Sequence, residues 1–534
     1  MAWRWSFGGC LVWGKDTRDR VYFKVEKVAC ALADTRVSEK SRLDGPVEKV
    51  IHKKYNRKMQ GKNEEQSEIE TILGLHNYIP DDHILKKVGM VLKTGWVHDL
   101  TKDRYSIESG RPSIDPEAAL RLMLSGFLLG IVHDRDLMRR AETDIAIRWF
   151  CRYRLKDKLP DHSSLTRIRQ RWGEELFKDM FHRVVRMCVE AGLVDGSTIH
   201  VDSSIVRANA SIESMVDEHL VRVIEENEDH EEEKDKDEKR GRGARRRNKS
   251  KNPKRSLSDP DAVLSRKSNR DKYIPGYKGH LAVDDRCGVI VDAIVTKGNV
   301  NEGTQLIGQM ERVESNTGIE VEKVTADAQY ATSANFRDLE EMGIEAVIPT
   351  QPERTKGTRI PARRFKYDAK HDVAVCPTGK KLRRTRQMDE GWVYSAKASD
   401  CRKCRLRERC LYSSSSSREL YIADGHASLL RARRKKNRWK EECAGIYTRH
   451  RWIIEGRIAE AKMRHGMDRA VRRGLSNINI QLLLAAMAID LKRLAALHFM
   501  PLIDLYTFIL SLPSLRVARR FNFHLITCAA SLHL

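Results

Sequence analysis

Ile199-His200-Val201-Asp202-Ser203-Ser204 and Val324-Thr325-Ala326-Asp327-Ala328 are the stretches on which the reading of this 534-residue chain turns. Each carries an aspartate at or near the end of a run rich in β-branched residues, the composition of a strand. A third stretch, Arg451-Trp452-Ile453-Ile454-Glu455, puts a glutamate on a basic helix. Each aspartate taken alone reads first as a turn or cap residue. Together, two strand-end aspartates and a helix-borne glutamate supply the hard oxygen ligands that Mg²⁺ or Mn²⁺ requires. Two such ions at one point break and rejoin phosphodiester bonds, one activating a water or 3′-hydroxyl and the other stabilising the leaving oxygen.

Working outward, Ser197 to Val206 alternates as a strand. Tyr277 to Val283 and Val289 to Val295 form a hairpin across Asp284-Asp285-Arg286-Cys287-Gly288. Asp284 and Asp285 are rival ligands, but their place before Arg-Cys-Gly predicts a hairpin turn. A helix near Glu302 to Val313, a strand Val321 to Ala326, a helix Ser333 to Met342 and a strand Ala346 to Pro349 follow. That order predicts a mixed α/β sheet with an antiparallel start. A central strand would hold Asp202 most rigidly and makes it the bridging ligand.

Upstream, residues 71–195 read as all-α. Asp115-Pro116-Glu117 is a helix start, with a capping Asp, Pro in the first turn and Glu at the positive end of the dipole. A second helix covers Arg135 to Ala141. Leu159-Pro160-Asp161-His162-Ser163-Ser164-Leu165 opens another, which carries Arg167, Arg169, Arg171 and Trp172. Capped helices with arginines near one N-terminus suit a helix-turn-helix reader, with those three arginines on DNA. A helical bundle with a solvated basic face reads the same way.

The remaining chain divides by composition. Residues 1–70 are an unassigned extension, and 196–350 hold the first part of the sheet domain. Within it, Met215 to Ile224 looks helical. Residues 225–255 are a charged, mobile insertion, acidic from Glu225 to Glu238 and basic from Lys239 to Arg255, because like-charge blocks rarely fold. Residues 351–430 are Cys-rich and without periodicity. Residues 431–497 hold the glutamate helix, read from Arg433 through Lys462, and a last helix over 477–497; 498–534 are an unassigned tail.

The net charge of +24 selects a polyanionic partner. Eleven cysteines, an odd number, do not form a disulfide framework and suit a reducing cytosol. The N-terminus has no signal-peptide pattern. The apolar run Leu482 to Ile489 is too short to span a bilayer, so no membrane segment is expected. Cys376, in Val-Cys-Pro-Thr-Gly, joins Cys401-x₂-Cys404-x₅-Cys410. Four thiolates suit a closed, tetrahedral structural Zn²⁺ site; reduced free thiols are the alternative. Arg402, Lys403, Arg405, Arg407 and Arg409 would give the insertion a basic surface.

The words around the carboxylates carry a resemblance. His200-Val-Asp-Ser-Ser-Ile-Val-Arg-Ala-Asn-Ala-Ser211, Pro275-Gly-Tyr-Lys-Gly-His-Leu-Ala-Val-Asp284, Gly298-Asn-Val-Asn-Glu-Gly303 and Thr325-Ala-Asp-Ala-Gln-Tyr330 resemble, in order, segments of bacterial insertion-sequence transposases of the DDE type. Tyr447 to Lys462 resembles their Tyr-Arg-Glu-Lys motif, with Arg451, Glu455 and Lys462 in place, and His465 to Leu475 is similar to the segment after it. The resemblance covers about 71–497. It implies an RNase H-like catalytic domain behind an N-terminal all-α domain, with Asp202, Asp327 and Glu455 as ligands of two Mg²⁺ or Mn²⁺ ions. It makes Arg451 and Lys462 phosphate contacts, where helix-surface ion pairing is the alternative. It implies DNA partners (terminal inverted repeats and target DNA), a homo-oligomer, a cytoplasmic, nucleoid-associated location, and cleavage followed by strand transfer. A domesticated or inactive DNA-binding protein and a metal nuclease without strand transfer are the rival readings.

Overall fold

The computed structural model describes residues 74–106, 113–217, 254–266, 271–351, 360–439 and 441–511, with side chains as far as 498. The chain divides at Arg57/Lys58, and every described residue lies in the second unit. The extension at 1–70, nearly all of the charged insertion and the end of the tail lie outside the described residues.

The N-terminal region is helical: α1 Ile84–Val91, α2 Trp96–Thr101, α3 Pro116–Leu128, α4 Asp134–Thr143, α5 Ile145–Phe150 and α6 His162–Glu190. Asp115 caps α3, accepting the Glu117 N–H, with Pro116 in the first turn. Every residue of α3 is buried. Asp161 caps α6 in the same way. α6 is 29 residues long and kinks at Gly173, whose φ of 73° and ψ of 170° lie outside the helical region. A side chain there would be strained, and glycine has none.

The sheet begins with β1, Thr198–Arg207, followed by the short β2 Met215–Asp217, β3 Lys254–Ser256 and β4 Val263–Ser265. The helix expected from Met215 thus begins instead as a strand, paired with β3. β5 Ile274–Asp284 and β6 Ile290–Lys297 form the expected hairpin. A 3₁₀ turn at Glu302–Gln305 leads into α7, Leu306–Thr317; then come β7 Lys323–Ala326, α8 Ser333–Glu341 and β8 Glu345–Val347. β6, β5, β1, β7 and β8 lie side by side in that order, with β5 antiparallel to β1 and β6, and β1, β7 and β8 parallel. The mixed sheet with an antiparallel start is the one expected from the sequence.

The aperiodic stretch holds a second sheet: β9 Lys366–Asp368, β10 Val373–Val375, β11 Lys381–Met388, β12 Gly391–Ala396 and β13 Glu419–Ala423, with short helices α9 Ala398–Arg402 and α10 Arg407–Cys410. It has its own small core of Phe365, Ala374, Leu382, Tyr394, Ala396, Leu420 and Ile422. α11 His426–Lys436, α12 Glu441–Arg464 and α13 Leu475–Ser511 complete the described chain. The expected helix from Arg433 is therefore two, broken between Lys436 and Glu441. α13 packs against α1, α3, α6 and β6, so one continuous apolar core joins the N-terminal helices to the sheet. Among the described residues no helix is long and apolar enough to cross a membrane.

Candidate active site

β1 and β7 run parallel with Ile199 opposite Val324, His200 opposite Thr325 and Val201 opposite Ala326. The next residue on each strand is an aspartate, Asp202 and Asp327. The register therefore sets the two aspartates abreast on neighbouring strands, Asp202 in the middle of β1 and Asp327 just past the end of β7. Asp327 closes its strand as an N-cap, accepting the Gln329 N–H at 2.7 Å. Asp202 accepts the Ser203 N–H at 2.7 Å. Among the described residues neither carboxylate has a cationic partner.

Burial pushes Asp202 up to about 7, and the charges of Asp327, Glu302 and Glu455 add to the shift against the Ser203 N–H bond. Burial also raises Asp327, helped by the charge of Glu302. Negative charge is thus concentrated where water is scarce, a condition a bound cation relieves. Tyr330 is fully buried, its phenol pushed well above its usual range by burial and by the charges of Asp202, Glu302 and Asp327.

Glu302 is a further acidic residue beside the two aspartates, and its charge acts on both. It stands in the 3₁₀ turn before α7, 3.0 Å from the Lys278 ammonium on β5. The word Gly298 to Gly303 was its signal. Glu455 comes from α12, which packs across β1, β5 and β7. Its carboxylate is exposed and faces Arg451 Nε at 3.6 Å, so the ion-pairing alternative for Arg451 is what this conformation shows. Lys462 lies farther along α12 and is partly buried. Asp284 and Asp285 form the hairpin turn, as expected: Asp284 accepts the N–H groups of Gly196 and Arg286, and Asp285 binds Arg449 through both oxygens at 2.6 and 3.1 Å.

Behind the carboxylates runs a buried polar chain. Asp285 Oδ1 lies 2.9 Å from His200 Nε2; His200 Nδ1 lies 2.6 Å from Thr325 Oγ1; Thr325 Oγ1 lies 2.9 Å from His450 Nδ1. Tyr447 stacks on the His450 ring with 11° between planes.

The arginines of α6 separate. Arg167 and Arg171 are exposed, and Arg171 lies over the Tyr105 ring. Arg169 is 3% exposed and pairs with Asp134, which Arg472 also reaches. The expected DNA contact at Arg169 is corrected by this burial: a guanidinium locked into the core does not reach a phosphate.

In the second sheet, Cys376, Cys401, Cys404 and Cys410 line one cavity of about 30 Å³. Cys376 Sγ accepts the Lys380 N–H at 3.2 Å, and Cys404 Sγ accepts the Leu406 N–H at 3.4 Å. The Thr378 hydroxyl stands between them, 3.1 Å from Cys376 and 4.0 Å from Cys404. Among the described residues, neither the acidic nor the thiol group converges closely enough, as it stands, to grip a metal ion.

Two family models match. Residues 74–171 match a transposase domain, DUF772, and residues 375–495 match a transposase DDE domain. These two matches support an insertion-sequence DDE transposase. The second match includes Arg451, Glu455, Lys462 and the four cysteines; Asp202 and Asp327 lie outside both. Among solved structures, a synaptic complex of piggyBac transposase with hairpin DNA aligns over 87% of this chain and 85% of that chain, at 9% identity and a TM-score of 0.29. That score is too low for any argument about fold or ligand. No curated protein matches.

Proposed function

We propose that the transposase binds the terminal repeats of its element, cuts the phosphodiester at the ends and joins the freed 3′-hydroxyl to target DNA. Two Mg²⁺ or Mn²⁺ ions would be held by Asp202, Asp327 and Glu455. The observation that carries this reading is the parallel register that sets Asp202 abreast of Asp327, with α12 packed across the same strands. The donor chemistry suits the ions: all are hard oxygens, burial raises the pKa of Asp202 and Asp327, and neither aspartate has a cationic partner among the described residues. Bound there, the ions supply nucleophile activation and leaving-group stabilisation. The protein's own part is placement. β1 and β7 fix the two aspartates, α12 brings Glu455, and Arg451 and Lys462 hold the phosphate of the element's end. Arg167 and Arg171 add an exposed basic surface on the N-terminal helices. The mixed sheet supports an RNase H-like catalytic domain. Action as an oligomer on paired ends, at the nucleoid, belongs to the same proposal. The test uses DNA carrying the element's own ends: cleavage that needs Mg²⁺ or Mn²⁺ and stops with chelator is expected, and pre-cut ends should join to target. Cleavage without joining would leave a nuclease; binding without either would leave an inactive DNA-binding protein.

We propose also that Cys376, Cys401, Cys404 and Cys410 hold a structural Zn²⁺. Four thiols around one small cavity, two of them receiving backbone N–H groups, match the donor set of a closed zinc site. The second sheet's small core is the kind that gains from a staple. One zinc per chain by elemental analysis is expected, and Cys404→Ser should lower it well below one. A full-length chain purified with no zinc would overturn the assignment.

A further inference from the structure

The buried chain behind the carboxylates joins the three elements that carry them. His200 stands two residues before Asp202 on β1, Thr325 two before Asp327 on β7, and His450 five before Glu455 on α12. Successive same-face residues on a strand are two apart, so His200 and Thr325 share the face of the sheet that bears the aspartates. α12 lies over that face and returns His450 to the same point. All three side chains are buried: His200 and Thr325 are 0% exposed and His450 is 4%. The two rings lie 5.5 Å apart with the Thr325 hydroxyl between them.

The partners fix the direction of each bond. The Asp285 carboxylate only accepts, so His200 Nε2 carries the proton. His200 Nδ1 then has a lone pair and accepts from the Thr325 hydroxyl. That hydroxyl, having given its one proton, accepts from His450 Nδ1–H. Each donor meets one acceptor, and Arg449 anchors the far end through Asp285. A hydroxyl with one proton to give and a lone pair to receive is the group this point calls for; a methyl breaks both bonds.

We propose that Thr325 is a positioning residue for the metal site: its hydroxyl, bridging His200 and His450, sets the distance between α12 and the two aspartate strands and so the distance of Glu455 from Asp202 and Asp327. The proposal rests on the carboxylate reading given above. It predicts a specific pattern in Mn²⁺ binding to the full-length protein, read by electron paramagnetic resonance without any turnover. Thr325→Val, nearly the same shape, should weaken Mn²⁺ binding about tenfold or more. Thr325→Ser, which keeps the hydroxyl, should return it to within about threefold of wild type. His450→Phe should behave like the valine variant, and His450→Asn, whose amide N–H replaces Nδ1–H, should restore part of the affinity. Affinity for the terminal-repeat DNA should stay within about twofold throughout, because a fold defect would lower both. Asp202→Asn separates the two claims. If it abolishes Mn²⁺ binding while Thr325→Val binds as wild type does, the bridge is overturned and the carboxylate site stands. If Asp202→Asn binds Mn²⁺ normally, the carboxylate site falls and the bridge falls with it. A serine variant as weak as the valine variant also overturns the role of the hydroxyl.

Discussion

Asp202 carries the largest electrostatic cost at the site. Its carboxyl is pushed up to about 7 by burial and by three neighbouring carboxylates. A carboxyl raised above its unfolded value near 3.8 favours the fold only while protonated. The contribution is complete below about pH 4 and is lost as pH rises through about 7. Above that, the metal-free site destabilises the protein, by roughly 2 kcal/mol once partial solvent access is allowed for. Asp202→Asn should therefore raise stability to urea at pH 8 and change it little at pH 4, in metal-free buffer. Mn²⁺ should raise the Tm of the wild type more at pH 8 than at pH 6, and not that of the variant. Equal Mn²⁺ shifts at both pH values would count against a metal on Asp202. At this scale the sequence was legible where local words were strong: the two aspartates, the hairpin at Asp284 and the cap at Asp115 needed only their neighbours. Arg169 was not legible, because its fate depends on Asp134 and Arg472, which are distant in sequence. Glu302 stands in the Gly298–Gly303 motif, but its closeness to Asp202, a hundred residues away in sequence, comes only with the folded chain.

α12 carries Glu455, and partly buried ion pairs hold it in place. On its inner side Glu460 meets Lys492 at 2.5 Å, Arg457 at 2.7 Å and Arg493 at 3.2 Å, tying α12 to α13. Although burial opposes ionisation, these partners and His465 hold the Glu460 carboxyl far below its usual range. A depressed carboxyl contributes its stability above its unfolded pKa and loses it as pH falls below that value. Glu460→Gln should cost about 3 kcal/mol at pH 7, because it leaves half-buried cations unpaired; the cost should shrink in acid, measured by urea unfolding at pH 7 and pH 3. Gly173 makes a second test. Gly173→Ala puts a side chain at φ 73° and should cost about 1–2 kcal/mol; a neutral change would mean that α6 straightens freely. The second sheet was the least legible element. β11 reads Lys-Leu-Arg-Arg-Thr-Arg-Gln-Met, and only Leu382 in it is buried, so the alternation that marks a strand is missing. The cysteines there were visible by spacing, whereas the strands were not.

Across the whole molecule, α13 does what no local pattern announced. The segment reads as a buried helix, but its role as the shared core of the N-terminal helices and the sheet depends on packing from both sides. Sequence division into a helical domain and a sheet domain therefore marks composition rather than separate cores. The surplus of +24 belongs to this scale as well. Binding to the terminal repeats should weaken steeply with salt, the log–log slope growing by about 0.9 for each phosphate neutralised. Arg451→Ala should lower that slope by about 1 across DNA sequences; an unchanged slope would leave Arg451 as a helix-surface ion pair with Glu455. The most direct test of the central claim is Mg²⁺- or Mn²⁺-dependent cleavage of DNA carrying the element's ends by Asp202→Asn, Asp327→Asn and Glu455→Gln, each checked for DNA binding. The account predicts that all three bind the ends as wild type does and that each cuts at least about a thousandfold more slowly, whereas near-wild-type cutting by any one of them would contradict the site.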